Sequence, residues 1–102
     1  MKVWLVTRHE GAVAWARAAG LRWDEHVSHL ADVRAVEAGD RVFGTVPLHL
    51  AAQLCAAGAE YWHLEIRVDE NARGREHSAC ALAAMNCRFV RFDVKTIRTW
   101  AT

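Results

Sequence analysis

Short stretches of alternating hydrophobic and polar residues run along this chain, separated by glycines and polar clusters. Lys2-Val3-Trp4-Leu5-Val6 is an apolar run of strand length. It leads through Thr7-Arg8-His9-Glu10-Gly11 into an alanine-rich segment, residues 12–19, which predicts a helix that Gly20 terminates. Residues 23–30 read as a short strand or extended segment. Ala38-Gly39-Asp40 is a turn signal, and Arg41-Val42-Phe43-Gly44 a brief strand. Thr45 is placed to cap a second helix with Pro47 in its first turn. That helix carries Leu48, Ala51, Ala52 and Cys55 at core spacing and stops at Gly58. From 60 to 68 the alternation is clean: Trp62, Leu64, Ile66 and Val68 take one face, and Tyr61, His63, Glu65 and Arg67 the other. This pattern predicts a half-buried strand. A polar loop over 69–76, a short helix over 78–85 and a last strand over 87–96 complete the chain. In that strand Val90, Phe92 and Val94 oppose Arg91, Asp93 and Lys95.

The resulting order, β-α-β-β-α-β-α-β, implies an α/β sandwich with a mainly parallel sheet of about five strands. At 102 residues the chain makes one domain, 1–102, whose small core would gain from oligomerisation. Thirteen Lys and Arg against twelve Asp and Glu leave a formal charge of +1, too balanced to coat long nucleic acid by charge alone. A small anion in a locally basic pocket remains compatible with that balance. No apolar run reaches membrane-spanning length and no signal-peptide pattern opens the chain, so a soluble, cytoplasmic protein is expected. Cys55, Cys80 and Cys87 lack a C-x-x-C spacing and are expected to be reduced thiols. Five tryptophans suit a core, and exposed ones would suit an interface.

Candidate chemistry concentrates at two strand-to-helix junctions, Thr7 to Gly11 and Gly44 to His49. In a parallel sheet both open on the carboxyl edge, where unpaired amides at helix starts attract anions. Arg8 supplies a fork for phosphate oxygens, and His9 a titratable imidazole. Gly11 would let the backbone approach a ligand closely. Gly44 and Thr45 repeat the arrangement with a hydroxyl. His49 lies in the first turn of the second helix, with Gln53 one turn behind on the same face. The loop Arg73-Gly74-Arg75-Glu76 could close as a lid over an anion. His26 and His29, three apart on a strand, fall on opposite faces, and no H-E-x-x-H occurs, so no metal is expected. Arg8-His9-Glu10-Gly11 is also similar to the Arg-His-Gly signature of histidine phosphatases, with Glu10 displacing the glycine in a chain short for that fold.

Three ordered motifs together resemble a family of small CRISPR-associated proteins encoded beside type III systems. They are Trp4-Leu5-Val6-Thr7-Arg8-His9-Glu10-Gly11-Ala12 with Trp15; Gly44-Thr45-Val46-Pro47-Leu48-His49-Leu50-Ala51-Ala52 with Cys55, Gly58 and His63-Leu64; and Arg73-Gly74-Arg75-Glu76 with Ser78. His77 departs from the leucine usual after Glu76. The resemblance implies a Rossmann-like (CARF-like) domain, a two-fold homodimer and a role in cyclic oligoadenylate signalling. Relatives look like ring nucleases, which cut the cyclic messenger, here most simply cyclic tetra-adenylate, and switch the type III response off.

A metal-independent cut would proceed by attack of a ribose 2′-hydroxyl on its adjacent phosphate. Arg8 is then expected to stabilise the charge on phosphorus, and His9 to serve as general acid or base, a role His49 could exchange with it. Thr7, Gly11, Gly44, Thr45, Arg73, Arg75 and Glu76 are the expected ligand contacts. No cofactor is called for. A protein that sequesters the ring without cutting it would use the same contacts. A small phosphatase, or an adaptor using exposed tryptophans, is the more distant alternative.

Overall fold

Five strands and two helices form in the structure, a computed structural model that describes residues 1–66 and 87–100. The strands are β1 (Val3–Val6), β2 (Glu25–Val27), β3 (Arg41–Gly44), β4 (Glu60–Glu65) and β5 (Arg88–Phe92). Helix α1 (Glu10–Ala18) joins β1 to β2, and α2 (Leu48–Ala56) joins β3 to β4. A short 3-10 turn at Val33–Ala35 lies between β2 and β3. The sheet order is β2-β1-β3-β4-β5. β1 pairs in parallel with both β2 and β3, and β3 with β4, so the expectation of a mainly parallel α/β sheet holds.

The last strand departs from that pattern. β5 runs antiparallel to β4, pairing Tyr61 with Phe92 and Glu65 with Arg88. It is also shorter than the predicted 87–96, because residues 93–100 continue without strand pairing. The helix expected over 78–85 and the loop over 69–76 lie outside the described residues.

Register explains which residues form the core. Trp4, Val42 and Tyr61 align across the sheet, as do Leu5, Phe43 and Trp62, and Val6, Gly44 and His63. Successive rungs point to opposite faces. Trp4, Val6, Val42 and Tyr61 therefore meet Ala51 and Leu54 of α2 in the larger core. On the other face Leu64 meets Ala12 of α1, with Trp15, Cys87 and Phe89 packed around them. The rings of Phe43, Trp62, Phe89 and Trp15 continue that layer at centroid separations of 5.1–5.4 Å. β4 is half-buried over most of its length, as expected, but the buried side is not confined to the apolar face of the alternation. Tyr61 and Leu64 point to opposite sides, yet both are buried. β4 lies between β3 and β5 with one buried residue on each face and the rest of the strand half-buried, which an alternating sequence does not reveal. Both helices end as expected ahead of Gly20 and Gly58, where the amides of Leu21 and Ala59 return to the carbonyls of Ala16 and Leu54.

One buried carboxylate joins the start of β1 to the Glu37–Asp40 turn at the amino edge of the sheet. Asp40 Oδ1 accepts the Lys2 amide at 2.9 Å, and Oδ2 accepts the Glu37 amide at 2.9 Å and the Trp4 indole N–H at 3.3 Å. Burial pushes the Asp40 carboxyl up, but these donors together outweigh it and hold the group below its ordinary range. A carboxyl depressed on folding stabilises the fold above its unfolded pKa, about 4, and loses that contribution as pH falls through the folded value. Asp40→Ala leaves the buried indole N–H unpaired and should cost about 1–3 kcal/mol for that donor alone. Urea unfolding checks both points: the variant's midpoint should fall at neutral pH, and the gap to wild type should narrow at low pH. An unchanged gap down to acid pH would remove Asp40 from the explanation.

Candidate functional site

Val6 and Gly44 stand side by side as β1 and β3 leave the sheet, and both turns that follow begin there. Gly44 has φ +131°, and a Cβ built on it would fall 2.0 Å from the Val6 carbonyl oxygen. Only glycine lets the strands approach so closely in that conformation. The Thr45 amide then donates to the Val6 carbonyl at 3.0 Å, fastening the second turn to the end of β1. Strand order reverses between β1 and β3, since the chain moves from β1 to β2 on one side and to β3 on the other. That makes the junction a topological switch point, the usual place for a ligand crevice in a parallel α/β sheet.

The first turn is braced from below. Thr7 is buried, its amide donates to the Val27 carbonyl at 3.0 Å, and its hydroxyl accepts the His9 amide at 3.2 Å. His26 Nε2 lies 2.8 Å from the Thr7 carbonyl. A carbonyl only accepts, so Nε2 carries the proton and donates. Arg8 and His9 stand exposed at the tip of this braced turn. Helix α1 begins earlier than the sequence suggests, with His9 at the N-cap and Glu10 and Gly11 in its first turn. Gly11 is thus a helical residue, and its contribution is a free first-turn amide rather than a loop conformation. The Ala12 and Val13 amides already bond the His9 carbonyl. Glu10 adds a carboxylate to the same turn, which complements the helix dipole but competes with a bound anion.

The second turn differs more from expectation. Pro47 is the N-cap of α2, with no side-chain capping bond, and Thr45 lies two residues ahead of it. Thr45 therefore does not cap the helix. Its amide is committed to Val6, while its side chain is exposed. The Leu50 and Ala51 amides bond the Pro47 carbonyl, leaving those of Leu48 and His49 as the free first-turn donors. His49 is exposed, as is Gln53 one turn on. Thr7, Arg8, His9, Gly44 and Thr45 thus gather at one edge, with the starts of α1 and α2 approaching it from opposite faces. Arg73, Arg75 and Glu76 lie outside the described residues.

Two residues absent from the sequence-based site belong beside it. The buried Tyr61 hydroxyl accepts the Val46 amide at 3.2 Å and lies 2.6 Å from His63 Nδ1 and 3.5 Å from the Gly44 carbonyl. Burial pushes its pKa up, against the opposing pull of the Val46 N–H, so the phenol stays protonated and tethers β4 to the β3–α2 turn. Alternation put Tyr61 and His63 on one strand face, but treating that face as the polar one hid the pairing. A period-two Tyr-x-His was the signal available. Among the described residues no group of three or more His, Cys, Asp or Glu is placed to hold a metal, and no helix is long and apolar enough to cross a membrane.

A family model described as "Putative CRISPR-associated protein (Cas_VVA1548)" matches residues 4–95. Comparison with curated proteins and with solved structures yields no significant match.

The tight junction makes a direct prediction. Gly44→Ala should destabilise the protein by about 3 kcal/mol or more, since strain at positive φ adds to overlap with the Val6 carbonyl. A urea midpoint equal to wild type would mean that the β1–β3 edge opens without cost.

Proposed function

The chain belongs to this CRISPR-associated family, and on that premise we propose that it is a ring nuclease that binds and cuts cyclic oligoadenylate. The observation that carries the reading is the Thr45 N–H to Val6 carbonyl bond, which holds two strand-to-helix turns together at the switch point. One turn carries Arg8 and His9, the other Thr45 and His49. Free amides at two helix starts and a guanidinium form an anion-attracting edge, and exposed imidazoles stand beside it as proton carriers. The strand order β2-β1-β3-β4-β5 supports a Rossmann-like (CARF-like) domain. A C2 dimer would present two identical edges to a two-fold symmetric ring such as cyclic tetra-adenylate.

In the proposed reaction a ribose 2′-oxygen attacks its adjacent phosphorus and the bond from phosphorus to the 5′-oxygen breaks. The 2′-hydroxyl proton passes to a base, and a proton is delivered to the leaving 5′-oxygen. The products are a 2′,3′-cyclic phosphate and a 5′-hydroxyl. Arg8 neutralises the developing charge, and the Gly11 amide assists it. His9 carries a proton, with His49 on the facing turn as the other candidate. Thr7 acts through its own turn, because its hydroxyl is engaged by the His9 amide. Gly44 and Thr45 shape the second wall. Arg73, Arg75 and Glu76 close over the ring by family resemblance alone.

The test is incubation of purified protein with cyclic tri-, tetra- and hexa-adenylate in EDTA, followed by chromatography and mass spectrometry. Linear products beyond protein stoichiometry are expected, with turnover in Arg8→Ala reduced about 10²–10³-fold while the ring still binds. Saturation at one intact ring per dimer would instead identify a sequestering protein. Rings neither bound nor cut would end the reading.

A further inference from the structure

Beside the junction, a cavity of about 350 Å³ opens between α2 and strands β4 and β5. That volume lies at the low end for small-ligand sites, about 300–1,000 Å³. Val46, Leu48 and Val94 make its aliphatic side. The other side is aromatic: Tyr61 and His63 have ring centroids 5.7 Å apart, and His63 and Phe92 5.9 Å apart at 74°. Phe92, on the edge strand, is 41% exposed, and Leu48 is 75% exposed.

The polar atoms of this wall have assignable roles. The Val46 amide donates to the Tyr61 hydroxyl, which has one proton of its own to give. His63 Nδ1 at 2.6 Å is a far closer acceptor than the Gly44 carbonyl at 3.5 Å. With Nδ1 accepting, the neutral imidazole carries its proton on Nε2. Among the described lining residues, the apolar, aromatic slot thus has one side-chain N–H donor, His63 Nε2–H. An aliphatic occupant would leave that donor unpaired. A phosphate would meet no cation, since none of the described lining residues is Lys or Arg. A flat heteroaromatic ring with acceptor nitrogens satisfies both the stacking surface and the donor.

We infer that this cavity is a purine-base subsite, with Phe92 as its stacking surface and His63 Nε2–H as its hydrogen-bond donor. Tyr61 is the positioning residue that sets the imidazole tautomer. The choice of adenine rests on the function proposed above. His63 occupies the same rung as Val6 and Gly44, two strand spacings or roughly 10 Å from β1. A nucleotide and the Arg8 side chain together bridge that span, with the base in the cavity and the phosphate at the Thr7–His9 turn.

Nuclear magnetic resonance titration with 5′-AMP, with ribose 5-phosphate as control, tests the subsite. Millimolar 5′-AMP should shift the His63 imidazole and Phe92 ring signals along a saturating curve, and ribose 5-phosphate should not. Phe92→Leu keeps an apolar side chain without the ring, and His63→Phe keeps a ring without the donor. With folding confirmed by circular dichroism, each should weaken 5′-AMP and cyclic tetra-adenylate binding roughly ten-fold. Unmoved signals, equal shifts with ribose 5-phosphate, or wild-type affinity in both variants would overturn the subsite. The two proposals separate cleanly. If 5′-AMP saturates the cavity but no ring is bound or cut, the nuclease reading falls and the subsite stands. If rings are bound or cut with both variants unaffected, the subsite falls and the reading stands.

Discussion

The close approach of Gly44 to the Val6 carbonyl is the constraint on which the rest of this structure depends. Parallel strands β1 and β3 are the centre of the sheet, and at their carboxyl ends no side chain separates them. Because the strands stay in contact there, the Thr45 amide reaches Val6 and the two turns leave the sheet from one point. Helix α1 is then delivered to one face and α2 to the other, each starting at that edge. A wider gap would move both helix starts apart and divide the anion-attracting edge into two weaker ones.

A second tether acts from β4. Tyr61 is a core residue by burial, yet its hydroxyl reaches up to the Val46 amide and across to His63. The same side chain therefore fixes the floor of the β3–α2 turn and the orientation of an imidazole facing the cavity. Thr7 does the equivalent work under the first turn, with His26 holding its carbonyl. Arg8 and His9, the residues with the most obvious chemistry, are exposed at the tip, while Thr7 beneath them is buried. Hydrogen bonds beneath the turn fix its backbone and leave the Arg8 and His9 side chains exposed above it.

Much of the fold was legible because apolar runs and glycines mark element boundaries by local rules. β1, β3, both helices and the stops at Gly20 and Gly58 follow from such signals, and a parallel sheet follows from their alternation. The capping of α2 was not legible: Thr45 has the right chemistry for a cap, but Pro47 stands at the N-cap and the Thr45 amide is taken by Val6. β4 misled for a related reason. Its alternation suggested one wet face, whereas Tyr61 on that face is buried because its hydroxyl bonds into the β3–α2 turn. At the site, Thr7, Arg8, His9 and Gly44 could be named from the chain, since a strand running into a helix gives them away. The role of Tyr61 and its pairing with His63, a residue of the second motif, could not, because the tyrosine hydroxyl's other partner is an amide 15 residues earlier.

By itself, then, the sequence determined an α/β domain, the positions of its strand-to-helix junctions and the residue types gathered there. Its motifs also carried the resemblance to a CRISPR-associated family, to which the matched model assigns the chain. Tertiary structure decided that β5 runs antiparallel, that the two junctions adjoin, and that Tyr61 and His63 form a pair beside them. The division has a physical origin. Periodicity and turn preference act over a few neighbouring residues, whereas strand order, close approach and hydrogen-bond partnership depend on groups brought together only when the sheet assembles.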